Sequence, residues 1–412
     1  MCRLNSWSLS TPVYYSLELT PFCNNACSPC SNVFPRQKKV FSAKNWQHIL
    51  AQIAPYTESL KLTGGEPTLH PEFENIVQSI SDMGISFTIF TNGRWRNPQK
   101  LIDFLSQLPS EKFGLLVSLH GPDAASHEAF TNTPGSFEET CRNIRLMTEA
   151  GLHIHTSTVI TCQNYNRLPE MADLSKALKA RRTVFNRYLG PAFPGIEPTD
   201  VQLRQAVYDI EALRRSYGSA PDFGVRYGNC IPQCFAPSSS TGCWAGVAYC
   251  TIDPWGNVRP CSHSPTVAGN ILETPIEEIW QNDIMQCWRE LTPKGCFSCS
   301  ELDVCHGGCK ALVEIRQRDP LIRKPLHETK SSMELELYER SKPLMIGRAR
   351  PEVFGYALVR GQSIVPVAPE TKDLLDQLDG SHTLLEISEN WGQEGIDLVG
   401  LLYLQGQVVM QE

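Results

Sequence analysis

From Tyr14 to about Gly190, short apolar runs alternate with longer stretches whose apolar residues recur every three or four positions. The runs are "YSLELT", "SLKLTGGEP", "ISFTIFTNG", "FGLLVSLHG", "LHIHTSTVIT" and "TVFNRYLG". Their β-branched and aromatic content, with turn residues at their ends, predicts a strand in each. Helical spacing covers Ala43 to Ile53, Glu72 to Met83, Gln99 to Leu108 and Ser136 to Ala150. Together these predict six β/α units in an α/β fold. Parallel strands joined by helices form either a doubly wound sheet or a full or partial barrel, and in both the chemistry sits at the strand C-termini. Cys23 to Cys30, Gly64 to Pro67, Thr91 to Gly93 and Ser118 to Gly121 fall at such ends, so they are expected to converge on one mouth.

Beyond Gly190 the pattern changes. Residues 191–228 open on "PAFPGIEPTD" and contain the amphipathic "VQLRQAVYDIEALRRSYG", which reads as a linker with one connecting helix, 201–229. From Cys230 to about Val313 a Cys-, Gly- and Pro-rich segment shows little periodicity apart from a helix near Pro275 to Arg289, so metal rather than an apolar core is expected to hold it. Thr329 to Pro343 is polar and charged, a helix or a linker. In the tail, "FGYALVRGQSIVPV" predicts two strands around Arg360 and Gly361. "PETKDLLDQLDG", "TLLEISENWG" and "IDLVGLLYLQG" predict three short helices, with Leu374, Leu375, Leu378, Leu384, Ile387, Leu398 and Leu402 as core. This is a small winged-helix pattern. The expected domains are 10–200, 230–325 and 344–412.

Composition narrows the function. With 412 residues, 41% apolar and 20% charged, the chain can bury real cores. The start "MCRLNSWSLSTPVYYS" has no signal-peptide pattern and no window approaches a membrane span, so a cytoplasmic protein is expected. A net charge of −7 without a basic run argues against nucleic acid. The tail alone carries four basic side chains against ten acidic ones, which would repel a duplex. Its expected edge strand, Gln362 to Val367, could instead pair with an extended peptide. The 16 cysteines then stand out: Cys2, Cys141 and Cys162 are scattered and read as small packing residues, whereas the others are clustered. In a reducing compartment clustered thiols point to metal.

Cys23, Cys27 and Cys30 have C-x3-C-x2-C spacing in one loop. Three thiolates so placed can hold three irons of a [4Fe–4S] cubane and leave the fourth open; a zinc or structural site is the alternative on spacing alone. The place of this loop after the first strand, with "GGEP" after the second, favours the cluster. "CNNACSPC" with "TGGEP" resembles the radical S-adenosylmethionine (SAM) superfamily over roughly residues 10–200, which implies a partial (β/α)6 barrel. The resemblance implies that the open iron chelates SAM and that reduction yields a 5′-deoxyadenosyl radical able to abstract hydrogen. It implies that Gly64, Gly65, Glu66 and Pro67 position the methionine amine, the Glu66 carboxylate being able to take up an ammonium, with Thr91, Asn92, Ser118 and Asn164 as further contacts. Pro29 stands where many relatives carry an aromatic residue against the adenine.

"CWAGVAYCTIDPWGNVRPC" and "CFSCSELDVCHGGC" resemble the SPASM domain of peptide-modifying radical SAM enzymes. That resemblance implies one auxiliary [4Fe–4S] cluster on Cys243, Cys250, Cys261 and Cys309, and a second held at three corners by Cys296, Cys299 and Cys305. No cysteine follows Cys309. The second cluster therefore either keeps an open iron or is closed by Asp303, His306, Cys287 or the upstream pair Cys230 and Cys234. His263 reads as a structural neighbour of Cys261 rather than a base. The tail is similar to the PqqD-like element, which implies an N-terminal leader peptide added as a strand. The implied partners are a precursor peptide with its leader, reduced ferredoxin or flavodoxin, and a small accessory protein.

The expected function is modification of a ribosomally made peptide, by side-chain cross-linking or by excision of a backbone fragment, with epimerisation a weaker outcome. The rivals are oxidation of a protein Cys or Ser, as in sulfatase maturation, a non-catalytic iron–sulfur carrier, and, weakest, a DNA-binding regulator.

Overall fold

The computed structural model describes residues 7–30, 32, 39–218, 222–228, 231–236, 242–299, 302–322, 338–361 and 363–411. Cys2, Cys230, Gln362 and most of Thr329 to Pro343 lie outside them, as does the side chain of Asp303. The chain divides into two units, Met1–His327 and Glu328–Glu412.

The first unit runs β1 (Tyr14–Thr20), α1 (Ala43–Ile53), β2 (Ser59–Gly64), α2 (Phe73–Asp82), β3 (Ser86–Thr91), α3 (Pro98–Leu105) and β4 (Phe113–Ser118). It continues with α4 (Ala124–Thr131), α5 (Ser136–Glu149), β5 (Ile154–Ile160), α6 (Leu168–Ala177), β6 (Arg182–Arg187), α7 (Asp200–Ser216) and β7 (Gly224–Tyr227). Strands β1 to β7 are parallel and adjacent in chain order. A doubly wound sheet reverses its order part-way, so this single direction of winding is that of an open barrel. The six expected strands are present. A seventh is added: the stretch read as a linker and connecting helix supplies a crossover helix and a strand paired with β6.

Alternation along the strands sorts the two faces. Tyr15, Leu17 and Leu19 of β1, Leu60 and Leu62 of β2, and Phe87 and Ile89 of β3 join Trp46, Ile49, Ile76 and Ile80 of the helices in one apolar core. Their neighbours Ser16, Glu18, Thr20, Lys61, Thr63, Thr88 and Ser118 therefore face the other, inner side. The barrel interior is largely polar, with Phe90, Leu116, Val159 and Val184 as apolar residues on the same inner face.

The cysteine-rich segment is built onto this sheet. It contributes β8 (Tyr249–Ile252), β9 (Asn257–Arg259), β10 (Gly269–Asn270), α8 (Ile276–Gln281), α9 (Asp283–Arg289), α10 (Leu302–Cys305) and α11 (Lys310–Arg316). Strand β8 pairs parallel with β1 on the side away from β2, and β9 and β10 follow antiparallel. Two buried ion pairs join the segment to the barrel, Arg259 with Glu18 and Arg187 with Asp319.

The second unit holds β11 (Lys342–Met345), β12 (Arg348–Glu352), β13 (Gly355–Arg360), β14 (Ser363–Val367), α12 (Lys372–Asp376), α13 (Leu384–Leu404) and β15 (Val408–Gln411). Strands β12, β13 and β14 form one antiparallel sheet, and β11 pairs with β15. Thr383 and Glu386 form a capping box at the start of α13, and Gly392, at φ 62°, breaks that helix in two where the sequence predicts two helices. Leu374, Leu375, Leu378, Leu384, Ile387 and Leu402 pack with Leu358, Val365 and Val408. No helix among the described residues is long and apolar enough to cross a membrane.

Ile387 is fully buried in this small core. Ile387→Ala is expected to cost about 2–5 kcal/mol. Hydrogen exchange should then quicken in α12 to β15 and stay unchanged in β1 to β6; equal quickening in both units would contradict the two-unit description.

Candidate active site and auxiliary thiol groups

The mouth begins where β1 and β2 end. Gly65 N–H donates to Thr20 O at 2.7 Å and Glu66 N–H to Phe22 O at 2.7 Å. A Cβ on Gly64 would lie 2.4 Å from Thr20 O, and one on Gly65 would lie 2.2 Å from Phe22 O. Both positions therefore require glycine, and Gly64 also holds φ +129°. Directly after Phe22 come Cys23 and Cys27, half-buried, and Cys30, exposed.

Glu66 ties this loop to the next strand. Its Oε1 accepts from Thr68 Oγ1 (2.7 Å), Thr68 N (3.3 Å) and Thr91 Oγ1 (2.8 Å), and its Oε2 accepts from Asn92 N (2.7 Å). Burial holds its carboxyl above the usual range, a shift that these donors oppose only in part. The carboxylate expected to receive an ammonium is thus committed to four protein donors. Much of the Gly64 to Pro67 backbone is engaged as well: besides the two N–H bonds above, Gly64 O accepts from Asn32 Nδ2 at 3.1 Å, Glu66 O from Leu69 N–H and Pro67 O from His70 N–H.

Asn92 reaches the cysteine loop. Its Nδ2 donates to Asn24 Oδ1 at 2.7 Å and lies 3.7 Å from Cys23 Sγ, to which Asn25 N–H also donates at 3.4 Å. Arg94 clamps the same loop through Asn24 O (2.6 Å) and Asn25 Oδ1 (2.8 Å), and is held in turn by Glu139 (2.7 Å). Two expected ligand contacts are otherwise engaged. Thr91 Oγ1, besides donating to Glu66, accepts from Gly93 N and Trp95 Nε1. Asn164 is buried; its Oδ1 accepts from Thr161 N, and its Nδ2 donates to His120 O and Val159 O, so it braces the ends of β4 and β5. Ser118 ends β4 on the inner face, half-buried.

The auxiliary cysteines assort differently from expectation. Cys243, Cys261 and Cys309 come together: burial, with Cys243 and Cys309 alongside, pushes the Cys261 thiol up to about 12. Cys250 does not join them. Its neighbours Tyr249 and Thr251 both bond Ser262, the residue after Cys261, so their side of β8 is the thiol side. Cys250 faces the opposite way, fully buried with Ile252 in the apolar core, and its thiol is raised by burial alone. The first group is therefore three thiols. It also borders the barrel interior, because Lys61 acts electrostatically on Cys261 and Ser262 Oγ lies 3.5 Å from Ser16 Oγ.

In the second group Cys296 is pushed up to about 12 by burial, with Cys234, Cys305 and Cys299 beside it. Cys243 N–H donates to Cys305 O at 3.4 Å, linking the two groups. Cys287 is exposed on α9. His306 packs its ring against Trp7 and Trp244, at 5.4 and 5.1 Å, and those two rings also meet at 5.7 Å; both His306 ring nitrogens are buried with no hydrogen-bond partner among the described residues. His263 is buried, held down to about 3 by desolvation, and its N–H donates to Cys261 Sγ at 3.5 Å; it is neutral near pH 7 and braces that cysteine through its backbone.

Residues 17–175 match the model of the Radical SAM superfamily, and residues 243–309 match SPASM, an iron–sulfur cluster-binding domain. The chain carries a radical SAM domain followed by a SPASM domain, and it is an enzyme. It is similar to the AdoMet-dependent heme synthase of Methanosarcina barkeri (28% identity, covering 77% of this chain and 96% of that protein). It is similar also to the mycofactocin maturase MftC of Mycolicibacterium smegmatis (28%; 74% and 79%) and the PqqA peptide cyclase of Rhizobium meliloti (25%; 81% and 92%). Streptococcus suis SuiB bound to its precursor peptide SuiA shares the fold, with a TM-score of 0.66 at 20% identity over 76% of each chain.

The donor set of the radical SAM domain fits an iron–sulfur cluster at the mouth. Three thiols share one loop, and two N–H groups point at the Cys23 sulfur, as a thiolate ligand requires. Arg94, Glu139, Asn24 and Asn25 escape a sequence reading because Glu139 lies 45 residues from Arg94. Their one local signal is that Arg94 follows the strand end "TNG".

Cys261→Ala should lower the iron content and change the spectrum of the reconstituted enzyme, whereas Cys250→Ala should leave both unchanged; iron loss in Cys250→Ala would contradict the assignment of its side chain to the core. Arg94→Ala should loosen the cysteine loop and cut SAM cleavage by about tenfold or more, a loss of at least ~1.4 kcal/mol, as read by 5′-deoxyadenosine formation.

Proposed function

We propose that this enzyme is a cytoplasmic maturase of a ribosomally made precursor peptide, which it alters by hydrogen abstraction to give a side-chain cross-link, carbon–carbon or thioether, or to excise a backbone fragment. The observation that carries the reading is a largely polar barrel interior with thiol groups at both ends. Cys23 leaves the C-terminal end of β1, whereas Ser262, next to Cys261, meets Ser16 near its start. Ser16 lies four residues before Thr20, a separation of roughly 13 Å along the strand. The inner side chains between them on β1, Ser16, Glu18 and Thr20, are buried, so a substrate segment would enter along the half-buried inner positions of the neighbouring strands, such as Thr63, Thr88 and Ser118.

Cys23, Cys27 and Cys30 would hold the SAM-binding cluster, with the Gly64 to Pro67 backbone and Ser118 facing the bound cofactor. A reduced cluster held there together with SAM would supply hydrogen-atom abstraction from substrate. The remaining work is done by the chain itself. Arg259, bonded to Glu18 and to the carbonyls of Ser262 and Ser264, keeps the floor of the interior rigid and its charges paired. Lys61 and the Tyr249 hydroxyl add polar groups beside Cys261. Cys243, Cys261 and Cys309 would hold an auxiliary cluster with one ligand position left for substrate, and Cys296, Cys299 and Cys305 would take part in a second. A reduced ferredoxin or flavodoxin would supply electrons.

The C-terminal unit would bind the leader of the precursor, alone or with a small accessory protein. Strand β14 is an edge of its sheet. Pro366 stands opposite Ala357, and with no N–H to give to β13 it faces the free side with Ile364. An added strand would bond the N–H and carbonyl of Ile364 and the carbonyl of Pro366. The relatives named MftC and PqqA peptide cyclase support a peptide substrate, and the heme-synthase relatives make a tetrapyrrole the competing one.

Co-expression with candidate precursor peptides, followed by mass spectrometry, tests the proposal. Loss of two hydrogens means a cross-link, and loss of a residue-sized fragment means excision. An unchanged peptide alongside turnover of a tetrapyrrole would overturn the peptide reading.

A further inference from the structure

The sequence leaves the second auxiliary group one ligand short, with five residues named as able to close it. We infer that Cys234 supplies the missing thiolate, making a closed four-cysteine site with Cys296, Cys299 and Cys305. The inference rests on the reading of Cys296, Cys299 and Cys305 as iron–sulfur ligands and goes beyond it by naming a ligand upstream of the whole SPASM match, which begins at residue 243.

Three observations carry it. First, the Leu321–Ile322 turn brings Cys234 to Cys296: Cys234 Sγ lies 4.0 Å from Leu321 O, and a Cβ on Gly295, the residue before Cys296, would lie 3.9 Å from Ile322 Cγ2, in keeping with Cys234, Cys299 and Cys305 all acting on the charge of Cys296. Second, its position is built. The turn closes by Phe235 and Ala236 N–H donation to Pro232 O, and Ile231, Phe235 and Ala236 are all buried in the main apolar core. On the other side Cys234 Sγ lies 4.0 Å from Leu321 O, and Leu321 N–H donates to Asp319, which also accepts from Cys309 N–H. The same buried carboxylate thus fixes a ligand of the first group and the wall beside Cys234. Third, of the described rivals Cys287 lies on the solvent face of α9, opposite Met285 and Trp288, and the His306 ring packs against Trp7 and Trp244; because both His306 ring nitrogens are buried with no hydrogen-bond partner among the described residues, His306→Gln is set directly against Cys234→Ala in the test. Asp319, the remaining carboxylate near Cys296, is bonded through both oxygens to Arg187. Four thiolates are the usual complement of a [4Fe–4S] cluster.

The test uses the full chain with Cys23, Cys27 and Cys30 changed to Ala, so that only auxiliary iron is read. This parent should bind about eight irons, two cubanes. In it, Cys234→Ala should lose between one and four irons, giving a three-iron signal by electron paramagnetic resonance or no second cluster. Cys234→Ser should keep the iron with a shifted midpoint potential. In the otherwise unmutated holoenzyme, Cys234 should resist alkylation until iron is stripped by a chelator, a readout that needs no variant to fold. Unchanged iron and spectra in Cys234→Ala, ready alkylation of Cys234 in the holoenzyme, or the same loss in Cys230→Ala or His306→Gln but not in Cys234→Ala, would each overturn the assignment. A parent with no auxiliary iron at all would instead overturn the underlying reading of the cysteine groups.

Discussion

Both auxiliary thiol groups hang on one buried ion pair. The Arg187 guanidinium at the end of β6 meets the Asp319 carboxylate through two bonds of 2.8 and 2.7 Å, and neither side chain is more than 3% exposed. Taking two charges out of water is costly, and such a pair persists only where further hydrogen bonds satisfy it. Here Asp319 also accepts from Cys309 and Leu321 N–H, so the charge is neutralised and shared at once. Its carboxyl stays below the usual range in spite of burial, because Arg187 and those donors outweigh desolvation. A barrel strand, a thiol of the first group and the wall of the second are thereby fixed to a single point.

The mouth follows the same logic with a different hub. Glu66 is buried, has no cationic partner among the described residues, and is stabilised by hydroxyl and amide donors, which bind the loop after β2 to the end of β3. Asn92 passes that constraint on to Asn24 and the Cys23 sulfur, and Arg94 closes the loop from the other side. What looks in the sequence like a set of ligand contacts is largely a scaffold that holds the cysteine loop and the glycine backbone in place.

The legible parts of the fold are those written in local patterns. Six strands and four helices follow from alternation, helical spacing and turn residues, all of which are short-range signals. Strand β7, "GVRY", is too short to show a period and exists through its pairing with β6. Helix α4, "AASHEAFT", lacks a continuous apolar stripe and is fixed at its start by the Asp123 cap. Cysteine spacing located the thiol groups but could not say which way each sulfur points. Cys250 sits at a plausible spacing, yet the pleat of β8 turns it into the core, and Cys234 lies outside the matched pattern, yet a turn anchored by Phe235 brings it to Cys296. Both outcomes depend on tertiary pairing, which the spacing of cysteines does not encode.

The most direct test of the account is SAM cleavage by the anaerobically reconstituted enzyme, with iron and sulfide counted per chain. The account predicts about twelve irons and 5′-deoxyadenosine on addition of SAM and dithionite, with product lost when Cys23, Cys27 and Cys30 are changed to Ala. Absence of 5′-deoxyadenosine in the fully loaded enzyme, or product that survives the triple change, would contradict it.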